Sequence, residues 1–165
     1  MKQFYLKQKV FALRDRYKVY DEEQTLAYYV EGKMFSFTRL MNFYREKDKQ
    51  HLYIIKKNFI SFLPKYRLLN PDETQVAMLT KRISFMKHKF DITSDLGDLK
   101  MEGNMWGHDF KVMDGDNILL EVHKKWLSWG DTYQITIHDD SKTELLLALV
   151  LMIDDCLHDS QNQSH

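Results

Sequence analysis

Nine consecutive apolar residues, Leu145 to Ile153, constrain this chain more than any other stretch. Leucine, alanine and methionine dominate the run, and only Val150 and Ile153 are β-branched, so the segment reads as helix rather than strand. Ser141-Lys142-Thr143-Glu144 precedes it as a capping box, in which the Ser141 hydroxyl accepts from the Glu144 amide while Glu144 reaches back to the Ser141 amide. Nine residues cover every side of a helix over roughly 14 Å, so this helix has no polar face to turn toward water. It is expected to be buried all round, with Leu145, Leu146, Leu149, Val150, Met152 and Ile153 as core side chains. Gross burial of the run contributes on the order of 15 to 25 kcal/mol before the entropic costs of folding. The run is about half as long as a membrane span requires.

The rest of the chain has a different rhythm. Turn-forming clusters recur at Asp21-Glu22-Glu23, Glu46 to Lys49, Asn70 to Glu73, Ser94 to Gly97, Asp114 to Asn117 and His138 to Ser141. A second set falls about midway, at Arg14 to Arg16, Gly32-Lys33, Pro64-Lys65, Lys87 to Lys89, Gly107 to Asp109 and Gly130-Asp131. A turn about every twelve residues leaves strands of about eight, which suits an all-β meander rather than βαβ units. Between the turns, apolar residues alternate as half-buried strands require: Tyr133, Ile135 and Ile137; Ile118, Leu120 and Val122; Leu26, Tyr28 and Val30. An internal echo runs through Val10, Leu13, Tyr17 and Val19, then Phe59, Phe62, Tyr66 and Leu68, then Ile83, Met86, Phe90 and Ile92, then Trp126, Trp129, Tyr133 and Ile135. Trp106, Phe110 and Val112 form a weaker copy. Such an echo is a repeated hairpin whose apolar teeth face one core.

Strands and helix combine in one geometry. Twelve strands about 4.8 Å apart, tilted about 40°, close into a cylinder of roughly 12 Å radius. A helix with its side chains fills about half of that radius and leaves the rest to the inward side chains of the wall. The expectation is a mainly β fold: an antiparallel closed barrel of about twelve strands around a central hydrophobic C-terminal helix. The domain spans 1–158, and 159–165 form a polar tail. Asp154 and Asp155 sit near the helix C-terminus, where the dipole disfavours anions, and solvation is the favoured reading over pairing with a basic side chain on the barrel rim.

Several function classes are disfavoured. Twenty-four basic and 24 acidic side chains balance to zero, which argues against a dedicated nucleic-acid binder. One cysteine, Cys156, allows no intrachain disulfide and suggests a reducing, cytoplasmic home; on a buried helix it is a packing residue. Lys2, Lys7 and Lys9 are followed by no continuous apolar stretch of the signal-peptide kind. The seven histidines show no HExxH spacing, and His108 and His138 fall in turns where solvated polar residues are expected. Asp114-Gly115-Asp116-Asn117 faintly resembles the opening of a calcium loop but lacks the downstream Gly and Glu, and a tight hairpin explains it better. No Gly-rich phosphate loop is present. The chain is therefore read as non-enzymatic, with no cofactor and no metal.

The stretch Lys124 to Tyr133 followed by the Leu145 to Asp155 helix resembles the bacterial branch of the LURP-one-related family. Tyr5 to Phe11 and Gly103 to Trp106 are similar too. The resemblance implies the tubby C-terminal-like fold, a twelve-stranded barrel around a central hydrophobic helix. Tubby domains, which bind phosphoinositides, share that fold, as do phospholipid scramblases. It implies no established catalytic machinery, and no motif here matches tubby's own headgroup residues.

The functional signal in the residues themselves is basic and repeated. Lys7 and Lys9, Lys56 and Lys57, Lys81 and Arg82, and Lys124 and Lys125 fall at the beginning of the echoed hairpins. Lys56, Lys57, Lys124 and Lys125 are the candidate site for anionic lipid headgroups, with Trp126 and Trp129 nearby, on a cytoplasmic protein peripheral to a membrane. The bland alternative is that these cations solubilise strand ends. The other function class is a protein-interaction or scaffold module in a stress-response pathway.

Overall fold

Side-chain alternation sorts the strands into a wall with an apolar inside. Tyr17 and Val19, Tyr66 and Leu68, Phe90 and Ile92, Phe110 and Val112, and Tyr133 and Ile135 are all buried, so the second half of each echoed unit faces one core. The computed structural model describes residues 1–8, 15–35, 38–58, 65–82, 89–104, 108–127 and 130–162. Of the first halves of the echoes, Val10, Leu13, Phe59, Phe62, Ile83, Met86, Trp106 and Trp129 lie outside the described residues.

The strands are β1 (Lys2–Gln8), β2 (Asp15–Tyr20), β3 (Leu26–Phe35), β4 (Thr38–Arg45), β5 (His51–Asn58) and β6 (Lys65–Leu69). They continue as β7 (Gln75–Arg82), β8 (Lys89–Ser94), β9 (Gly97–Asn104), β10 (Asp109–Asp114), β11 (Asn117–Leu127) and β12 (Gly130–Ile137). Each pairs antiparallel with the next, and β1 pairs with β12 from Lys2↔Ile137 to Lys7↔Thr132, which closes the barrel. Closure leaves no unpaired edge. The expected turn at Gly32-Lys33 is not one: β3 runs through it to Phe35. A bulge after Val112 shifts the β10–β11 register, so that Ile118, expected to face inward with Leu120 and Val122, is exposed. The Asp114 to Asn117 segment is a two-residue hairpin connection with Gly115 at φ 57°.

Helix α1 (Thr143–Asn162) fills the barrel. From Leu146 to Ile153 no residue is more than 2% exposed, and Leu145 packs partly buried at the entrance. At 1.5 Å per residue the helix is about 30 Å long, about twice the apolar run, and it continues through residues 159–162 of the stretch read as tail. Its start departs from the capping box. The Asp139 carboxylate accepts from the Ser141 amide at 3.1 Å and from the Ser141 hydroxyl at 2.6 Å, and a 3-10 turn (Asp140–Lys142) leads into α1. Glu144 turns away to Arg45, with Nε at 2.7 Å. A charge-assisted guanidinium–carboxylate bond outcompetes a neutral amide for the same carboxylate.

Leu149→Ala is expected to lower unfolding free energy by about 3 kcal/mol in urea titration, because the close-packed wall cannot collapse into the gap. Leu149→Asp is expected to prevent cooperative folding altogether; a near-native melting curve for that variant would contradict enclosure of the helix.

Candidate functional site

The pleat divides the candidate lysines between two surfaces. On β5, Lys57 shares the inward face with Ile55 and is 2% exposed, its ammonium 5.3 Å from the Tyr66 ring centroid. Lys56 points outward and is half-buried, opposite Arg67 on β6. On β11, Lys124 follows the inward Leu120 and Val122 and pairs with Tyr133, whereas Lys125 is exposed and pairs with Thr132. β5 and β11 lie on opposite sides of the twelve-stranded ring. Lys57 and Lys124 thus approach the same end of the interior from opposite walls, and Lys56 and Lys125 belong to different outer faces. Trp126 lies in β11, and Trp129 is outside the described residues.

Register brings in cations that reading along the sequence does not. Lys125 pairs with Thr132, Thr132 with Lys7, and Lys7 with Lys18, forming one row across β11, β12, β1 and β2. The row continues through Tyr29, Tyr44 and His51, whose rings stack at centroid distances of 5.2 and 4.9 Å. Lys18 and Arg67 each stand alone in sequence; only the hairpin registers of β1–β2 and β5–β6 set them beside Lys7 and Lys56.

The helix C-terminal half carries the buried charges. Asp155 is 1% exposed and accepts two bonds from one Arg39 nitrogen, at 2.9 and 3.2 Å. Asp154 is also buried and lies 2.8 Å from His108 Nε2. The expectation that these carboxylates are solvated is therefore corrected: the inward face of β4 and the residue before β10 supply their partners, because a buried carboxylate without one is too costly. His108, expected to be a solvated turn residue, instead stacks on Tyr133 at 4.2 Å, with φ 51° aiming its ring inward. Cys156 is buried on the same helix, as a packing cysteine should be.

Among the described residues, two surface depressions gather polar groups. One, about 360 Å³, opens where α1 begins and is lined by Lys2, Tyr28, Tyr53 and residues 140–145. Burial first, and then the Glu144 charge, raises the Tyr28 hydroxyl above its ordinary pKa, and burial followed by Glu144 and Asp95 does the same to Tyr53. Three of its charged groups are already engaged: Glu144 by Arg45, Asp140 by the Met1 amino group at 3.0 Å, and Lys142 by Asp139 at 3.2 Å. The other, about 400 Å³, lies on the outer wall of β9, β10 and β11. There Asp109 pairs with His123 at 2.7 Å and Lys111 with Glu102 at 3.2 Å. Gly103, at φ 120°, is required beneath it, since a Cβ would stand 2.5 Å from the Asp109 carbonyl. Neither depression presents a nucleophile with a positioned base, and among the described residues no three His, Cys, Asp or Glu side chains gather as metal ligands.

A family model described as LURP-one-related matches residues 2–154. The chain is 31% identical over 164 residues to a Bacillus subtilis protein named "Uncharacterized protein YxjI", covering 99% of each. It is also similar to an Arabidopsis thaliana protein solved by X-ray crystallography, with a TM-score of 0.66 over 94% of this chain and 90% of that one. At 12% identity the last likeness concerns the fold alone.

The buried pairs can be tested by substitution. Arg39→Ala is expected to cost about 3 to 5 kcal/mol in chemical denaturation, because it strips a partner from the buried Asp155. Arg39→Met combined with Asp155→Leu is expected to recover most of that loss; an additive, doubly destabilised variant would show that the two side chains act independently.

Proposed function

This chain belongs to the LURP-one-related family, and on that premise we propose that it is a non-catalytic binding domain that engages anionic phospholipid headgroups at a membrane surface. The observation that supports this most is two like-charge pairs on the outer wall, Lys7 opposite Lys18 and Lys56 opposite Arg67. Like charges directly opposite in a sheet are destabilising, and an anion placed over both relieves the repulsion. Around Lys56 and Arg67 the wall also carries half-buried Leu40, Ile54 and Met78, an apolar and basic mixture suited to the headgroup boundary. Of the four lysines singled out in the sequence, Lys56 and Lys125 face where a surface ligand can reach, while Lys57 and Lys124 serve the interior. Among the described residues no helix is long and apolar enough to cross a membrane; the attachment proposed is peripheral.

A protein-interaction module is the second reading, favoured by the half-buried stack of Tyr29, Tyr44 and His51 on the same outer wall.

Co-sedimentation with phosphatidylglycerol or cardiolipin vesicles tests the first reading. The protein is expected to pellet at low salt, to be released as salt rises, and to ignore phosphatidylcholine. Lys56→Gln with Arg67→Gln is expected to weaken partition roughly 25-fold, at about 1 kcal/mol for each cation. Absence of pelleting at low salt would overturn the lipid reading, and a stoichiometric protein partner found in its place would favour the second.

A further inference from the structure

An antiparallel meander sends alternate connections to opposite ends of its barrel. At the end where α1 begins lie residues 21–25, 46–50, 70–74, 95–96, 115–116 and 138–142, which carry eleven carboxylates against three lysines. The connections of the other end lie outside the described residues except for His108. The strands at that end carry the opposite excess. On the outer wall Lys7, Lys56 and Lys125 fall within the last three residues of β1, β5 and β11, and Lys65, Arg67 and Lys111 within the first three of β6 and β10, against Asp91, Glu102 and Asp109 on β8, β9 and β10. A chain with zero net charge is thus strongly polarised along its axis.

Two structural explanations fall short. The α1 macrodipole favours anions at its start, yet that effect fades within one helical turn, whereas the wall stands roughly 12 Å from the axis. Lysines that guard exposed strand edges are not needed in a closed barrel. Solubility would be met by either sign at either end. What the polarity fits is a planar anionic partner. Strands of about eight residues, tilted about 40°, separate the two ends by roughly 20 Å, more than twice the Debye length of about 8 Å at physiological salt. With the basic end down, the eleven carboxylates of the other end are screened from the lipid; inverted, they meet it.

We propose that this barrel docks on anionic bilayers by one end, with the ends of β1, β5 and β11 and the start of β6 toward the lipid and the entrance of α1 facing away. This rests on the phospholipid reading above and adds its orientation. Lysines at both ends allow a matched test on the full chain with phosphatidylglycerol vesicles. Lys65→Gln and Lys125→Gln are each expected to weaken partition about fivefold, whereas Lys47→Gln, in the β4–β5 turn, leaves it unchanged. Nitroxide labels at Lys65→Cys and Asp116→Cys, with Cys156 buried and unlabelled, are expected to lose accessibility to an aqueous relaxation agent on binding only at position 65. Equal effects of the three lysine substitutions, or protection at position 116, would overturn the orientation while leaving lipid binding intact. No partition by the unsubstituted chain would overturn the phospholipid reading together with it.

Discussion

A helix with no polar side is stable in water only when something surrounds it completely. Leu146 to Ile153 set that requirement, and the wall meets it with twelve strands whose alternate side chains close on the helix from every direction. Fewer strands would leave too little radius for both the helix and an inward layer of side chains, and more would leave a void. Strand number and closure through β1–β12 are consequences of the same eight residues, which fill the middle of the barrel.

Enclosure also fixes which charges can be afforded inside. The helix outlasts its apolar run, and its next residues, Asp154 and Asp155, remain within the wall. Each is held by a side chain from a different part of the barrel, Arg39 on β4 and His108 ahead of β10. An apolar rod can slide or rotate within an apolar sleeve at small cost. Two directional charge contacts near its far end, together with Arg45 on Glu144 at its near end, single out one register. That role as a pin, rather than net stability, is the physical use to which such buried pairs are best suited.

How much of this was legible in the sequence follows from the range of each interaction. The strands, their inward residues and the enclosed helix are encoded by period and composition, which are local, so Tyr17, Tyr66 and Tyr133 could be assigned to the core from spacing alone. The partners of Asp154 and Asp155 could not: Arg39 is 116 residues from Asp155, and nothing local distinguishes a paired carboxylate from a solvated one. The capping box failed for the same reason, since Arg45 comes from 99 residues away to take Glu144. The lysine pairs were only half legible. Adjacent residues on a strand face opposite ways, so Lys56 and Lys57 cannot share a surface, while the cations that do share one, Lys7 with Lys18 and Lys56 with Arg67, are neighbours across a ladder rather than along the chain.

The seam between β1 and β12 joins residue 2 to residue 137, and the helix that fills the barrel follows both. On a ribosome this chain is therefore made wall first and core last. Until α1 emerges, the inner faces of the strands have nothing to close on, and no partial barrel buries the apolar teeth of its hairpins. The fold can be completed only once α1 is made, by a step of long sequence separation and correspondingly slow closure. In that interval the inward faces of the wall stay open to aggregation, and truncation ahead of Leu146 removes not a tail but the centre of the molecule.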